Sequence, residues 1–400
     1  MKLNKITQSL IFKKSFFLTF SLLFAIPFLA VAQSETEKNQ HVKKEEKTPI
    51  KIAKYFYKKL DGQLGDQRIE FDLMRFGSTL EGHFYFLDKE EKGTIRGTIS
   101  ETGRVSLEEI EGKTEEGEAN VVGFFDGKFM SPTEIAGTWH SYDGEEYNTF
   151  TVKENYPEKS SSFWVVHEGR SYSGTATVDL IYVVMGDEKH KATAKKINEF
   201  INSHILNYDH PKSTKKQFGD HSEFLDDFVI RYKKASEEAQ KAEGQMPMWD
   251  NHHQIILDYN NHNIVVLEFV ESVFEGGVYA NDKINFVNFD LGTGEQIELE
   301  ELFEKDFMPQ LTKVAEEVFR NKYGFKDIED FSKEGIQFKD NKFVLNNNYA
   351  LSKGGITFRF NEDEIAAHSM GSFEIFIPYS SIKSLVKKDS PLQEVMESHY

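Results

Sequence analysis

The chain has 400 residues, of which 39% are hydrophobic and 28% charged, and this composition excludes collagen-like, fibrous and wholly disordered proteins. Its 48 basic and 66 acidic residues leave a formal charge of -18, which disfavours nucleic acid and anionic membrane surfaces as partners. The sequence contains no cysteine, so disulfides, thiolate nucleophiles and cysteine-ligated metal sites are excluded. The partners that remain are neutral or cationic.

Residues 1–32 have the three parts of a secretory signal peptide. Lysines precede an uncharged apolar run from Ser15 to Leu29, and the Ala-Val-Ala at 30–32 suits a signal peptidase. The run is short for a bilayer span and contains Pro27, which favours cleavage over a retained anchor. Cleavage would remove four lysines and no acids, leaving 44 basic and 66 acidic residues and a charge of -22. We predict an exported protein, periplasmic, secreted or envelope-associated, without a stable membrane span after cleavage.

Residues 33–54 are polar and predict a solvated linker. From 55 to 157, short runs alternate apolar and polar residues, as in Arg68–Leu73, and glycine-containing turns such as Thr102-Gly103 separate them. The alternation directs one set of side chains inward and the other into water. About eight strands with no helical period between them predict an antiparallel β-meander that closes into a small barrel or sandwich.

The tryptophans of the chain are predicted to pack in cores. Gly137-Thr138-Trp139 has the Gly-x-Trp spelling of lipocalin-like barrels, and the strand count and turn spacing also resemble such β modules. The motif lies near the end of the meander and not on its first strand, so we expect Trp139 to be a core residue, like Trp164 and Trp249. A small-ligand carrier would need an apolar cavity inside a closed barrel.

Beyond a polar joint near residue 158, the hydrophobic period changes, and helices and strands mix without regular βαβ alternation. The second of two amphipathic helices buries Phe224, Leu225, Phe228 and Ile230. These patterns predict an α+β domain over 163–390, followed by a C-terminal tail at 391–400. The predicted elements are a strand at Ser173–Met185, helices at Lys191–Ile205, Ser222–Glu243 and Leu311–Tyr323, and strands at Gln254–Tyr259, Ile264–Phe274 and Lys283–Asp290.

Several separated motifs occur in order in this second half. They are Glu275-Gly276-Gly277, Asn288-Phe289-Asp290-Leu291 followed by Thr293-Gly294, Leu302-Phe303, the segment Asp363–Gly371, and Ile377-Pro378-Tyr379. Together they resemble the C-terminal domain of unknown function shared by the lysozyme-sensing anti-sigma factor RsiV and the peptidoglycan deacetylase PdaC, over about residues 160–390. One departure is that Gly-Gly-Ala-His in that family becomes Gly276-Gly277-Val278-Tyr279 here.

The resemblance implies an extracytoplasmic recognition module, whose characterised member binds lysozyme. Because only 14 residues precede the apolar run, we expect no cytoplasmic anti-sigma segment there, and we expect no deacetylase domain after the module. We therefore expect a non-catalytic envelope protein that binds a lysozyme-like or other cationic protein, or peptidoglycan, without a cofactor. The predicted partner-binding residues lie where strands give way to turns, with Tyr279 and His368 as anchors. They are Gly276, Gly277, Tyr279, Glu364, His368 and Gly371.

The sequence gives less support to two alternatives, a catalytic site and a metal site, than to a partner-binding surface. Glu268, Glu271 and Glu275 with Glu364 would supply carboxylates for a wall-glycan-active enzyme, but the three strand positions do not share one face by period two. His252, His253 and His262 lack metal-ligand spacing, so we expect them to be surface or turn histidines and predict no metal site.

Overall fold

The computed structural model describes residues 50–87, 92–113, 119–186, 190–213, 215–242 and 244–397. The predicted signal peptide and all but the last residues of the predicted linker lie outside these ranges. Within them, no helix combines the length and the apolar character needed to cross a bilayer. The chain folds as a mixed α+β protein, which confirms the predicted fold class.

Eight antiparallel strands form a closed barrel at the N-terminal end, as the meander pattern predicts. Each strand pairs with the next in sequence, and the first pairs with the last. The strands are β1 (Tyr55–Leu64), β2 (Gln67–Phe76), β3 (Thr79–Phe86), β4 (Gly93–Ile99), β5 (Arg104–Lys113), β6 (Ala119–Ser131), β7 (Glu134–Ser141) and β8 (Tyr147–Glu154). Six buried phenylalanines belong to the barrel core, where a small-ligand carrier would need a cavity. They are Phe56, Phe71, Phe84, Phe125, Phe129 and Phe150. Trp139 is partly buried against this core, and its indole N–H donates to Glu109 (2.6 Å).

Strand β2 departs from the predicted alternation because its outer face is also buried. Asp72, expected in water, is only 2% exposed, and Met74 on the same face packs in the core of the second sheet. The carboxylate of Asp72 accepts a hydrogen bond from the Tyr57 hydroxyl (2.6 Å) and pairs with the Lys59 ammonium (3.3 Å). A barrel strand can therefore bury polar groups on its outside when a second layer of structure covers it and supplies their partners.

The second sheet has the order β13-β12-β11-β10-β9, with β10 and β11 parallel and the other neighbours antiparallel. Its strands are β9 (Phe163–Tyr172), β10 (Ala176–Met185), β11 (Trp249–Asn261), β12 (Ile264–Phe274) and β13 (Asn281–Asp290). Helices α1 (Lys191–Leu206) and α2 (His221–Lys241) connect the parallel pair. Both helices fall where the helical period predicts them, and their buried faces share one hydrophobic core with the sheet.

Two core predictions in this region are wrong. Ile230 is 64% exposed, because the buried face of α2 continues from Phe228 to Tyr232, four residues on, and leaves position 230 on the solvent side. Trp164 is 54% exposed, because its neighbours on β9 point into the core and the strand alternation turns Trp164 outward. Trp249, at the start of β11, is buried as predicted.

A third, three-stranded sheet and four helices complete the fold around a phenylalanine-rich core. The strands, in the order β14-β15-β16, are Tyr349–Leu351, Gly355–Phe360 and Phe373–Pro378, and the helices are α3 (Leu299–Leu302), α4 (Met308–Lys322), α5 (Tyr379–Ile382) and α6 (Leu392–Glu397). Helix α4 begins three residues before the predicted start, with a proline in its first turn. The segment after 391, expected to be a tail, forms α6 and buries Leu392 and Val395 in this core.

Candidate functional site

The predicted recognition surface begins where strand β12 ends. Gly276 and Gly277 have φ values of 85° and 124°, a backbone conformation that side chains with a Cβ rarely adopt, so glycine is required for this turn. The turn carries Val278 and Tyr279 away from the sheet, and they are 94% and 51% exposed. A large apolar residue followed by an aromatic one is thus presented to solvent, as the sequence predicts for Tyr279.

Tyr279 meets the second predicted segment directly. Its ring stacks on the imidazole of His368, with ring centroids 3.6 Å apart and an interplanar angle of 14°. His368 starts a short 3-10 turn, His368–Met370, after which Gly371 takes a φ of 69°. We call Val278, Tyr279, His368 and Met370 the tyrosine–histidine shelf, since all four are at least partly exposed.

Acidic groups border the shelf. Nδ1 of His368 lies 3.1 Å from an oxygen of Glu362 and 3.4 Å from an oxygen of Asp363. Glu364 has a different position from the other predicted residues. Its carboxylate accepts hydrogen bonds from the Asn346 side chain and the Asn361 backbone N–H, each 2.8 Å long. Glu364 therefore holds the loop that carries His368, and both of its oxygens are engaged within the chain.

A groove of ≈ 810 Å³ lies beside Gly276, between strands β12 and β13 on one side and the end of α1 with the loop after it on the other. Its lining mixes acidic, basic and aromatic side chains, so it suits a polar ligand or a charged segment of a partner. Its charged and aromatic lining includes Glu271, Glu275, His204, Tyr208, His210 and Lys283.

The carboxylate of Glu275 is held firmly at the edge of this groove. Arg231 donates to it, Asn251 donates at 3.1 Å, and Nε2 of His210 lies 3.2 Å away. Arg231 is held in turn by Asp227 at 2.8 Å. Burial alone would raise the pKa of Glu275, but the hydrogen bonds from His210 and Arg231 lower it to about 2. Glu275 is therefore a permanent anion at neutral pH.

Glu271 differs, because burial raises its pKa and only Lys283 opposes the shift. Two carboxyl groups with pKa values displaced in opposite directions are the usual signature of acid–base catalysis in glycosidases. Here, however, the buried carboxylate of Glu275 is occupied by an arginine, a histidine and an amide, so its lone pairs are committed to the chain. The lone pairs of Glu275 are therefore not free to act as a nucleophile or base. Glu268, the third acid considered, lies elsewhere.

The three singled-out histidines have separate roles. His253 is buried against Tyr208 and Phe224, so its prediction as a surface or turn residue is wrong; β11 is covered by the two helices on that face. His252, the next residue, is partly exposed and lies 3.2 Å from Asp250. His262 is in a turn, as expected, with a φ of 52°.

One cluster of metal-ligating side chains was not predicted from the sequence. His83 of β3, Asp258 of β11 and Glu268 of β12 each place one ligand atom within 4.8 Å of the others, and this is the one such group among the described residues. Lys92, just before β4, pairs with Asp258. Burial would raise the pKa of Asp258, but Lys92 and His83 lower it. Burial, with the Asp258 charge, raises the pKa of Glu268. No local sequence pattern signals this cluster, because its members are far apart in the chain.

Residues 300–380 match the model of DUF3298, described as a protein of unknown function, and the matched stretch contains Glu364, His368 and Gly371. Two solved structures of the same family are similar to this chain at 16% identity each. A member from Bacteroides fragilis covers 60% of this chain and 99% of its own, with a TM-score of 0.48, and a family protein from Pseudomonas aeruginosa covers 59% and 96%, with a TM-score of 0.42. Among curated proteins, no match was found.

Proposed function

We propose that this protein is an exported, non-catalytic recognition protein of the cell envelope, which binds a cationic protein of the lysozyme type through the tyrosine–histidine shelf. The observation that carries the proposal is the stack of Tyr279 on His368, because it joins two turns into one rigid, exposed aromatic surface. The resemblance of the motifs to the module of RsiV and PdaC supplies the class of partner.

The chemistry of the shelf suits such a partner. Interface anchors are enriched in aromatic side chains that are rigid before binding, because little conformational entropy is then lost in the complex. Stacking fixes the Tyr279 ring, while Val278 adds apolar surface beside it. Glu362 and Asp363 at its border would pair with lysine or arginine of the partner. A net charge of -18, or -22 without residues 1–32, would steer basic proteins toward the chain.

The other functions considered have less support. A wall-glycan-active enzyme would need a free carboxylate in the groove, whereas Glu275 is held by Arg231 and His210. A carrier would need space inside the barrel, where phenylalanines are packed. The polar groove beside Gly276 would accept part of a glycan or peptide, so binding of peptidoglycan is measured alongside binding of lysozyme.

The test is calorimetric titration of the purified chain with lysozyme at low and physiological salt. We expect binding that weakens as salt rises, because the attraction between the charged surfaces is screened. Tyr279→Ala and His368→Ala should each weaken binding by about fivefold or more, on the scale of an interface anchor. Lysozyme with acetylated lysines is the matched ligand control and should bind more weakly, since acetylation removes the lysine charges and leaves only those of arginine.

The barrel provides a matched control for the substitutions. Tyr147, which is exposed, stacks on His140 with centroids 5.4 Å apart and an interplanar angle of 17°. Tyr147→Ala removes a comparable stack from another surface and should leave binding unchanged. Equal losses in Tyr147→Ala and Tyr279→Ala would contradict a specific role of the shelf. Binding of wall fragments without lysozyme would assign the groove to peptidoglycan instead.

Export of the protein and cleavage of its signal peptide are tested separately from partner binding. Expression of the full sequence in a bacterium, followed by N-terminal sequencing of the protein in the periplasm or the medium, should give a chain that starts at Gln33. A protein found inside the cell with its first residues intact would refute export without bearing on the shelf.

A further inference from the structure

We propose that His83, Asp258 and Glu268 form a Zn²⁺ site that clamps the barrel to the second sheet. His83 belongs to barrel strand β3, whereas Asp258 and Glu268 belong to the neighbouring strands β11 and β12. A cation bound by all three would cross-link two layers that also meet through ring packing, as between Tyr85 and Tyr259, and through hydrogen bonds, as from Asn260 to Tyr57. This inference is independent of the shelf and its partner.

The backbone is adapted to bring Asp258 into the cluster. Strand β11 has a register irregularity between Leu257, which pairs with Leu267, and Tyr259, which pairs with Val266, so Asp258 has no partner residue on β12. Such a bulge turns the extra side chain out of the regular alternation and is often found beside functional sites. The bulge lets Asp258 and Glu268 approach the same point.

Among the residues that the structure describes, no hydrogen-bond partner is found for two buried atoms of the cluster. They are Oδ2 of Asp258, whose residue is 1% exposed, and Nδ1 of His83. Buried polar atoms are nearly always satisfied, because losing water without a replacement costs about 1 to 3 kcal/mol. The buried Oδ2 of Asp258, a carboxylate oxygen in a cluster of groups that ligate metals, indicates a missing partner with positive charge.

The ammonium of Lys92 places one positive charge next to this cluster. It pairs with Oδ1 of Asp258, while Nε2 of His83 lies 3.2 Å from the same oxygen. Both contacts are made by Oδ1, and Oδ2 has no partner within the described part of the chain. Lys92 has a long flexible stem and is partly exposed, so it can move aside into solvent when a dication arrives.

The ligand set favours zinc over calcium and magnesium. One imidazole and two carboxylates supply a nitrogen and oxygens, which Zn²⁺ binds at about 2.0 to 2.2 Å in a four-coordinate arrangement. Calcium and magnesium require about six or more oxygen ligands, which this cluster lacks. Around a tetrahedral zinc the ligand atoms lie about 3.4 Å apart. The largest separation here is within 4.8 Å, so small side-chain rotations would close the site.

The experiment is calorimetric titration of the chelator-treated full chain with ZnCl₂. We expect one tight site. Asp258→Asn and the isosteric Glu268→Gln should each weaken its affinity for zinc by about 100-fold or more. Lys92→Met is the decisive variant. If the Lys92 ammonium does not occupy the zinc position, Lys92→Met should leave the affinity for zinc unchanged. If zinc must displace that ammonium, Lys92→Met should bind zinc about tenfold more tightly. Zinc should also raise the melting temperature of the wild type and Lys92→Met, but not of Glu268→Gln.

The surface histidines provide the control. His252 lies near Asp250 and Asp179 and is the natural place for adventitious zinc, so His252→Gln should leave the tight site intact. Zinc binding that is lost in His252→Gln and retained in Glu268→Gln would overturn the proposal. So would a wild-type affinity weaker than about 10 µM, or unchanged affinity in Lys92→Met. If Asp258→Asn fails to fold, the zinc affinities of Glu268→Gln and Lys92→Met still test the proposed site.

Discussion

His253 links the stability of this protein to pH. The imidazole is buried, with its ring 4.8 Å from that of Tyr208 and 5.1 Å from that of Phe224, centroid to centroid. Burial, with the positive charge of Arg231, lowers its pKa from 6.5 to about 3. The folded protein therefore keeps His253 neutral under conditions in which the unfolded chain protonates it.

The sign and size of the effect follow from proton linkage. Because the folded pKa is the lower one, the unfolded state binds more protons between pH 6.5 and about 3, and the free energy of unfolding falls as pH falls through that window. Integrating from pH 7.5 to pH 5.0 with these two pKa values gives a loss of about 2 kcal/mol from this residue. For a chain of this length, that corresponds to about 3 °C in melting temperature.

The assay is thermal unfolding of the wild type and His253→Phe at both pH values, followed by circular dichroism. Phenylalanine keeps an aromatic ring between Tyr208 and Phe224 but cannot titrate, so we expect the variant to lose about 3 °C less than the wild type on acidification. His252→Gln alters the adjacent, partly exposed histidine and should behave as the wild type. An equal pH dependence in the wild type and His253→Phe would refute the assignment of the effect to His253.

Three further predictions concern stability, each measured by urea unfolding at pH 7.5. Trp249→Ala should lower the free energy of unfolding by about 3 to 5 kcal/mol, because Trp249 is buried. Trp164→Ala, on the exposed face of β9, should lower it much less. Similar losses in the two variants would contradict the burial of Trp249 and the exposure of Trp164. Asp72→Ala should cost about 3 to 5 kcal/mol, because it leaves the buried ammonium of Lys59 without its nearer carboxylate, and a loss below about 1 kcal/mol would contradict this. Asp220→Ala should cost about 1 kcal/mol, because Asp220 caps α2 by accepting from the Glu223 N–H; an unchanged midpoint would show that the cap contributes nothing.

The junction between the barrel and the second sheet explains why the exposure of Asp72 was predicted wrongly. Asp72 on β2 alternates with apolar neighbours, so the pattern alone places it in water. The second sheet covers that face, and Asn260 of β11 donates to the Tyr57 hydroxyl that in turn holds Asp72. Whether the polar side of a barrel strand meets water depends on what packs outside the barrel, which alternation does not encode.

The candidate shelf was predicted in part. Glycine pairs and strand ends point to turns, so the exposure of Tyr279 and the turn at His368 follow from local patterns. That these two rings stack on each other is a contact between residues 89 positions apart. Glu364 was predicted to bind a partner as part of the loop that ends at Gly371, whereas its hydrogen bonds to Asn346 and Asn361 show that it supports this loop.

Local periodicity and turn residues by themselves determined the eight-stranded meander, both long helices of the second region and the strand Ile264–Phe274, because these depend on neighbours along the chain. Tertiary structure alone decided the cluster of His83, Asp258 and Glu268, since its members come from the barrel and the second sheet and one of them depends on a bulge. It also decided which side chains of β2 are covered. The physical reason is that burial and charge pairing are set by whichever surfaces meet in space, and those surfaces are separated by up to about two hundred residues of sequence.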